Sequence, residues 1–162
     1  DIIQGDAGND TITGGAGADT LTGDAGNDVF SYTASTDSSG TAALIAAGVA
    51  VNFIAAIDSI TDFTSGTDSI DVASIVNGVA KVGDPNVVAA GGASDADFFN
   101  ALNTAAAGDG STNSIINAFS FDGDQYVVID SSASVNFDAT ADTVIQVDGG
   151  PLANVSIGDF IV

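Results

Sequence analysis

The first thirty residues alternate short apolar strands with glycine-rich loops at a period of nine. Aligned on its aspartates, the segment reads DIIQ, GDAGNDTIT, GGAGADTLT and GDAGNDVFS. One position of the repeat always holds a large apolar residue: Ile3, Ile12, Leu21 and Phe30. Another always holds an aspartate: Asp1, Asp10, Asp19 and Asp28. Each unit therefore predicts a six-residue loop and a three-residue strand that points one large side chain inward. Two units make one coil, so that loops stack on alternate sides of a parallel roll.

The loops have the chemistry of a calcium site. Glycine adopts backbone angles that other residues avoid, so a glycine-rich loop can turn its carbonyls toward a cation. Stacked coils lie about 4.8 Å apart, a gap that calcium can bridge with about six oxygen ligands at roughly 2.3–2.6 Å. Carbonyls alternate in direction along an extended loop. We therefore expect one loop to supply carbonyls from its first and third positions. Its neighbour would supply carbonyls from its second and fourth positions, together with the aspartate carboxylate.

These rules select candidate ligands on both sides of the roll. For the stacked loops 5–10 and 23–28, the candidates are Gly5, Ala7 and Asp10, facing Asp24, Gly26 and Asp28. The opposite loop 14–19 offers Gly14, Gly15, Ala16, Gly17 and Asp19. The other candidate positions of the repeat are Asp1, Asp6, Gly8, Gly23 and Ala25.

Two details of the repeat bear on these sites. Asp37 lies nine residues beyond Asp28, so residues 32–37 are the expected upper partner of loop 14–19. Asp6 and Asp24 replace the usual second glycine, and we expect their carbonyls to do the binding. A flexible Gly/Asp linker would need no inward column of large apolar residues, and a solvated acidic face would need no strict spacing.

The segment after the repeats predicts a buried helix, or a helix followed by a strand, over residues 41–57. A membrane span is disfavoured because this apolar run is short and contains Gly48 and Asn52. Residues 57–72 predict a hairpin around the turn 64–67. Its aspartates are either turn and edge residues or an extra calcium site: Asp58, Asp62, Asp68 and Asp71.

One helix is predicted in the second half of the chain. Residues 83–94 predict a loop, and Ser94 or Asp95 is a suitable N-cap for the segment that follows. Four residues at helical spacing are expected to face the core: Phe98, Phe99, Leu102 and Ala106. Gly108 follows the predicted end of the helix.

Residues 115–147 predict β structure. The expected strands are 119–121, 125–130 and 143–147, with turns at 122–124 and 148–151. Residues 130–142 superficially resemble a calcium loop of the DxDxDG type. The resemblance fails because serines occupy ligand positions, and Val135 occupies the position that needs glycine. We therefore expect a hairpin loop with structural aspartates.

Composition narrows the possible functions. The 162 residues are 45% hydrophobic and carry 22 acidic residues, all aspartate, against one basic residue, Lys81, which gives a net charge of −21. Such a charge opposes compaction unless cations relieve it. Nucleic-acid binding is excluded, and an anionic membrane surface is disfavoured, because phosphate contacts need Lys and Arg.

The residue types that are absent from the sequence exclude several kinds of site. Without Cys and His the chain has no disulfide and no ordinary zinc site. Without His and Glu it holds neither an HExxH site nor a Ser-His-Asp triad. An aspartate pair could in principle hydrolyse glycosides, but no spacing picks out such a pair. Because the sequence contains no Met, Asp1 is not expected to be the natural N-terminus.

Three stretches of the chain resemble the C-terminal region of RTX proteins exported by type I secretion. They are the nonapeptides of 5–31, the segment ITDFTSGTDSIDV of 60–72, and the last four residues, Asp159, Phe160, Ile161 and Val162. An acid followed by three apolar residues resembles the end of type I export signals, although a closing strand would have the same pattern. The segments FDGDQYVVID and DTVIQVDGG also resemble C-terminal domains of large surface and S-layer proteins.

This resemblance implies a mainly β fold: a short parallel calcium β-roll over residues 1–37, then a β-rich capping and secretion-signal domain over 38–162 with about one or two helices. It implies Ca²⁺ as cofactor, the type I secretion apparatus as partner of residues 159–162, and an extracellular, bacterial-type location. Weak sites, with dissociation constants of roughly 10⁻⁴–10⁻³ M, would stay empty in the cytosol and fill outside, where calcium drives folding.

The resemblance leaves three interpretations of the module's role. It implies first a non-catalytic module for calcium-dependent folding and export. The alternatives are a self-assembling S-layer or adhesin region, and the tail of a secreted protease or other hydrolase whose catalytic domain lies upstream. An ordered coil could also help to trap the exported chain outside the cell.

Overall fold

Two sheets are wound from successive coils of the chain. The computed structural model describes residues 1–76, 81–82, 88–89, 94–107, 115–132, 134, 136–148 and 157–162, with the backbone alone at 81–82, 88–89 and 157. The strands are β1 (Ile2–Gln4), β2 (Thr11–Ile12), β3 (Thr20–Thr22), β4 (Val29–Ser31), β5 (Asp58–Ile60), β6 (Ser69–Asp71), β7 (Lys81–Val82), β8 (Val88–Ala89), β9 (Ile115–Phe121), β10 (Asp124–Asp130), β11 (Thr143–Val147) and β12 (Phe160–Ile161). The α-helices within these residues are α1 (Ala42–Ala47), α2 (Ala50–Ile54) and α3 (Asp95–Ala105), and Ile157–Asp159 forms one turn of 3₁₀ helix.

The long sheet has the order β1-β3-β5-β11-β10-β9-β7, with β8 also paired to β9. The short sheet has the order β12-β6-β4-β2, and all of its pairs are parallel. In the long sheet the pairs from β1 to β11 are parallel, whereas β11, β10 and β9 are antiparallel to one another. The prediction of a mainly β fold with a parallel roll is therefore confirmed, with three described helices in place of one or two.

The register confirms the eighteen-residue coil of the repeats. Ile2 pairs with Thr20, and Thr11 pairs with Val29, each an offset of 18. The next coil is wider, because Thr20 pairs with Ser59 and Val29 with Ser69, offsets of 39 and 40. β5 and β6 thus form a third coil, and β11 and β12 form a fourth. The strands beyond residue 37 continue both sheets of the roll; the proposed domain boundary at 37 stays a prediction.

The predicted hairpin over residues 57–72 is wrong. β5 and β6 lie in different sheets, where each pairs with the coil below it and the coil above it. Gly66 does form a turn with a positive φ of 79°, but this turn carries the chain from one sheet to the other. A strand, a short loop and a strand have the same sequence signature in a hairpin and in half a coil. The signal for a turn was therefore correct and the pairing inferred from it was not.

The predicted loop over residues 83–94 is also partly wrong, because Val88–Ala89 is a strand that pairs with β9. Residues 83–87 and 90–93 lie outside the described residues, as do Gly108, Val135 and residues 149–151 of the predicted 148–151 turn.

The interior of the roll is the apolar column that the repeat predicted. Leu21 is 1% exposed, and Phe30, Ile60 and Ile70 are fully buried. Side chains from β9, β10 and β11 close the same core, among them Ile116, Val127 and Ile145. The third and fourth coils therefore continue the hydrophobic stack after the repeats have ended.

A second core lies on the outer face of the long sheet, under the helices. Ser94 caps α3 as predicted: its hydroxyl accepts from the Asp97 N–H, and the Asp97 carboxylate accepts from the Ser94 N–H. Phe98 is fully buried. Its ring packs against five aromatic residues: Phe53, Phe99, Phe119, Phe121 and Tyr126.

The segment 41–57 forms two short helices, so the prediction of helix is confirmed, but neither a single buried helix nor a helix followed by a strand describes it. Thr41 caps α1, Gly48 ends it with a φ of 65°, and α2 buries Ala50 and Phe53. No helix within the described residues is long and apolar enough to cross a membrane.

The predicted β structure of residues 115–147 is confirmed. β9 and β10 join at Asp122 and Gly123, whose φ values of 53° and 96° suit an Asp-Gly hairpin turn. The Asp142 carboxylate accepts from the backbone N–H groups of Ser131, Ser132 and Asp138. Burial raises the pKa of Asp142 to about 6, against the lowering effect of these hydrogen bonds. The aspartates at the two ends of this loop are structural, as expected.

Replacing Phe98 by alanine tests the second core. Because Phe98 is fully buried among aromatic rings, we expect the free energy of unfolding in saturating calcium to fall by about 3–5 kcal/mol. Denaturant unfolding followed by circular dichroism measures this. The control is Val51→Ala, whose side chain is 67% exposed and whose loss should change stability by less than about 0.5 kcal/mol. Equal stabilities of the two variants would contradict the assigned core.

Candidate calcium sites

Two columns of aspartates run along the two sides of the roll. The column on one side is Asp10, Asp28 and Asp68, and the column on the other side is Asp1, Asp19 and Asp58. The N–H of Asp10 donates to Oδ1 of Asp28 over 2.9 Å, and the N–H of Asp28 donates to Oδ1 of Asp68 over 3.1 Å. On the other side the N–H of Asp19 donates to Oδ1 of Asp58 over 3.0 Å. One oxygen of each upper aspartate thus holds the coil below.

The second oxygen of three repeat aspartates is buried and lacks a hydrogen-bond donor within the described part of the chain. These atoms are Oδ2 of Asp10, Asp19 and Asp28, whereas the buried carboxyl of Asp58 has the Tyr32 hydroxyl beside it as a donor. Leaving a buried carboxylate oxygen unpaired is unfavourable by at least about 1–3 kcal/mol, and by more when it carries charge. A cation is the natural partner for such atoms in a chain with a net charge of −21.

Glycines make the room around these oxygens. A Cβ atom added to Gly23 would lie 2.5 Å from Oδ2 of Asp28, and one added to Gly5 would lie 3.0 Å from Oδ2 of Asp10. A Cβ on Gly14 would collide with Asp19 in the same way. The first glycine of each loop is therefore required by close approach, and any side chain there would displace the carboxylate.

Loops 5–10 and 23–28 stack directly on each other, as predicted. The N–H of Gly8 donates to the carbonyl of Ala25 over 2.8 Å, and the N–H of Ala25 donates to the carbonyl of Asp6 over 3.0 Å. These two bonds are accepted by the carbonyls of Asp6 and Ala25. The carbonyls predicted as calcium ligands accept neither of them: those of Gly5, Ala7, Asp24 and Gly26. The donors offered to an ion are carbonyl and carboxylate oxygens, which suit calcium.

The two aspartates that replace glycine keep glycine-like backbone angles. Asp6 and Asp24 have φ values of 65° and 64°, close to the 88° of Gly15 in the middle repeat. Aspartate tolerates this region better than most residues, so the loop geometry survives the substitution.

Asp37 is not where the nine-residue spacing placed it. The residue above Asp19 is Asp58. Oδ2 of Asp37 instead accepts from the N–H groups of Thr33 and Ala34 within its own turn. The chain leaves the roll after β4 to form α1 and α2, and returns only at Asp58. Residues 32–37 therefore do not stack on loop 14–19, and the period that reaches Asp37 is coincidental.

Sequence reasoning missed Asp58 and Asp68 as members of the columns. A signal was present, because each precedes Ser-Ile, and DSI at 58–60 and 68–70 matches the DTI and DTL of the repeats. The missing glycines hid this likeness.

The column that contains Asp19 ends in a buried cluster. Burial raises the pKa of Asp58 to about 7, and the nearby Asp19 carboxylate adds to this, whereas the hydrogen bond from the Asp19 N–H opposes it. Burial, followed by the charge of Asp58, also raises the pKa of the Tyr32 phenol. No glycine loop lies above Asp19, so the loop pair 5–10 and 23–28 is the best-formed candidate site.

In the described part of the chain, no three carboxylates converge on a common metal position. The expected coordination combines one or two carboxylates with loop carbonyls. The two remaining aspartates of residues 57–72 are hydrogen-bonded to the protein backbone. Asp62 accepts from the N–H groups of Gly23 and Asp24, and Asp71 accepts from the N–H of Ala73.

Replacing Asp28 by asparagine tests the first site. Asparagine lacks the second anionic oxygen, so we expect calcium-induced folding to need about tenfold more calcium, equivalent to ~1.4 kcal/mol. A calcium titration followed by circular dichroism measures the midpoint. The charge-matched control is Asp122→Asn in an exposed turn, which should leave the midpoint unchanged. Equal midpoints for the two variants would remove Asp28 from the site.

Comparisons with known proteins agree with this geometry. Residues 1–30 match the RTX calcium-binding nonapeptide repeat, in four copies. The structure is similar to the solution structure of the AlgE6R3 subunit from the Azotobacter vinelandii mannuronan C5-epimerase, with a TM-score of 0.56 and 25% identity. That match covers 99% of this chain and 66% of the other chain, so this chain spans just under two thirds of its length.

The AlgE6R2 subunit from the same organism's mannuronan C5-epimerase is similar in fold, with a TM-score of 0.50 and 22% identity over 94% of this chain and 70% of that chain. A comparison with curated protein sequences gave no significant match. Residues 1–30 therefore match four RTX calcium-binding nonapeptide repeats, and they form a β-roll whose loops have the oxygen ligands that Ca²⁺ needs.

Proposed function

We propose that this chain is the calcium-triggered folding and type I export module of a larger extracellular protein, and that it is itself non-catalytic. The observation that carries the proposal is the set of buried aspartate oxygens for which the described residues supply no donor. A roll built around such atoms is unfavourable without a cation. RTX repeats are typical of exported proteins, and a calcium difference across the cell envelope would control where this roll folds.

Charge supports the same mechanism. With 22 aspartates and one lysine, the chain repels itself when calcium is scarce, and its glycine-rich loops are entropically costly to order. Calcium binds only where the loops are stacked, so binding and folding are linked and each drives the other. An unfolded chain can pass a secretion channel, and a folded one outside cannot return through it.

The C-terminal segment has a place in both states. Asp159 is 2% exposed, and its carboxylate accepts from the Ser65 hydroxyl and the Gly66 N–H, each over 2.8 Å. Phe160 pairs with Ile70 in the short sheet. These contacts exist only in the folded roll, so residues 159–162 would be free for recognition by an exporter before calcium is met. Residues 159–162 would therefore serve as the export signal in the unfolded chain and supply the edge strand of the short sheet, β12, in the folded one.

Several of the described aspartates outside the columns bind protein groups, and the close pair Asp124 and Asp148 is bridged by the Gln146 amide. Outside the columns, Asp130 and Asp142 organise their own loop, and Asp97 caps a helix. The chain has no His, Cys, Glu or Arg to serve as a nucleophile's base or as an oxyanion partner. These observations support a non-catalytic role.

A second candidate concerns the protein to which the module belongs. One structural neighbour, the AlgE6R3 subunit, belongs to a mannuronan C5-epimerase. This favours an enzyme with an upstream catalytic domain over the S-layer or adhesin alternative. In that case this chain would be the calcium-binding part, and the activity would belong to the other domain.

Deleting residues 159–162 tests export directly. With the whole chain fused behind a reporter and co-expressed with a type I exporter, we expect the deletion to reduce the secreted reporter at least about tenfold. Immunoblots of medium and cells measure the fraction of the reporter that is secreted.

The control separates recognition from folding. Asp28→Asn should still be exported and should then fold poorly in the medium, because the recognised segment is intact. Wild-type secretion of the deleted chain would refute the proposed role of residues 159–162.

A further inference from the structure

Carboxylates of the third coil accept hydrogen bonds from the backbone amides of loop 23–28, the last glycine-rich loop of the repeats. Oδ1 of Asp62 accepts from the N–H of Gly23 over 2.9 Å, and Oδ2 accepts from the N–H of Asp24 over 2.7 Å. At the other end of the same loop, Oδ1 of Asp68 accepts from the N–H of Asp28. The first, second and sixth positions of loop 23–28 are thus fixed by two carboxylates that lie outside the repeats.

The loop below is held differently. Gly5, which corresponds to Gly23, donates its N–H to the carbonyl of Thr22 over 2.9 Å, an ordinary ladder contact. Asp62 replaces this neutral carbonyl with a charged acceptor and adds a second bond to the next residue. Hydrogen bonds to charged acceptors contribute roughly twice as much as neutral ones. Loop 23–28 is therefore held more firmly than a repeat would hold it.

The second bond acts at the most strained position of the loop. Asp24 has a φ of 64° and is exposed, and the left-handed region is sterically disfavoured for a non-glycine residue. The bond from its N–H to Asp62 opposes relaxation to an extended conformation. Such a relaxation would turn away the Asp24 carbonyl, one of the predicted calcium ligands.

Loop 61–68, which carries Asp62, is itself braced. Oδ2 of Asp68 accepts from the N–H of Thr64 over 2.8 Å. Asp159 of the fourth coil binds Ser65 and Gly66 from the other side. A series of carboxylate contacts therefore runs from the C-terminal strand through the third coil to the calcium loop.

We propose that Asp62 is a positioning residue for calcium: its carboxylate fixes loop 23–28 in the binding conformation, and this slows release of the ion. The inference rests on calcium binding by the repeats and is independent of export. It assigns the non-repeat third coil a part in setting calcium affinity, beyond its place in the sheets.

The test is Asp62→Asn in the full chain. Asparagine keeps the size of the side chain but presents an NH₂ group in place of one acceptor oxygen, so one of the two amide contacts is lost. We expect the calcium midpoint of folding to rise about 3–10-fold. The rate at which a fluorescent chelator removes calcium from the loaded protein, measured by stopped flow, should rise by a similar factor.

Two controls distinguish positioning from charge and from general stability. Asp71→Asn removes the same charge from the same coil, where Asp71 accepts from the Ala73 N–H, and should leave the release rate unchanged. Val128→Ala weakens the fully buried outer core and should lower the melting temperature without faster release. A release rate for Asp62→Asn that equals that of Asp71→Asn, or that of Val128→Ala, would overturn the proposal.

Amide hydrogen exchange in the wild-type, calcium-loaded protein gives a test that needs no variant. The N–H groups of Gly23 and Asp24 should exchange at least about tenfold more slowly than those of Gly14 and Gly15, the matching positions of loop 14–19, because neither of these two N–H groups donates to a carboxylate of the described residues. Equal exchange at the two pairs would contradict the clamp.

Discussion

The structure depends on carboxylate oxygens that are buried without a donor from the described part of the chain. Oδ1 of Asp28 holds the amide of Asp10 in the coil below, and Oδ2 of each repeat aspartate, Asp10, Asp19 and Asp28, lies against the first glycine of its own loop. The same side chain therefore locks two coils together and creates a demand for positive charge. A chain with one lysine cannot meet that demand. Under the proposed mechanism, calcium binding and folding are therefore coupled.

The rest of the chain is arranged so that one side of the roll stays free for stacking. The first long excursion, residues 32–57, leaves from the short sheet and returns to the long sheet at β5, on the side of Asp19 and Asp58. After β6 the chain extends the long sheet with β7 to β11, and helices α2 and α3 pack on β9, β10 and β11 to form the second core. On the opposite side, loops 5–10, 23–28 and 61–68 follow one another without interruption. This explains why the best candidate site lies there.

The repeat was readable from sequence because it is local and periodic: the inward column through Leu21 and Phe30, the loop pairing and the eighteen-residue coil all follow from spacing. The helix at Ser94 and the Asp122-Gly123 turn carry equally local signals. The third coil could not be predicted from sequence, because a strand-loop-strand pattern is the same whether the two strands pair with each other or with strands of other coils. At Asp37 the opposite error occurred. It lies nine residues after Asp28, so the repeat predicted a place in the roll, but the chain has already left the roll at that point.

The central claim is that calcium supplies the missing partner of the column carboxylates. Nuclear magnetic resonance of the chain with ¹³C-labelled aspartate carboxyls, recorded in calcium and then in excess chelator at the same pH, tests it most directly. The account predicts that the carboxyl signals of Asp10, Asp19 and Asp28 are dispersed and shifted in calcium, and that they collapse together with the amide dispersion of residues 1–31 in chelator. A folded repeat segment in chelator, with those carboxyl signals unchanged, would contradict it.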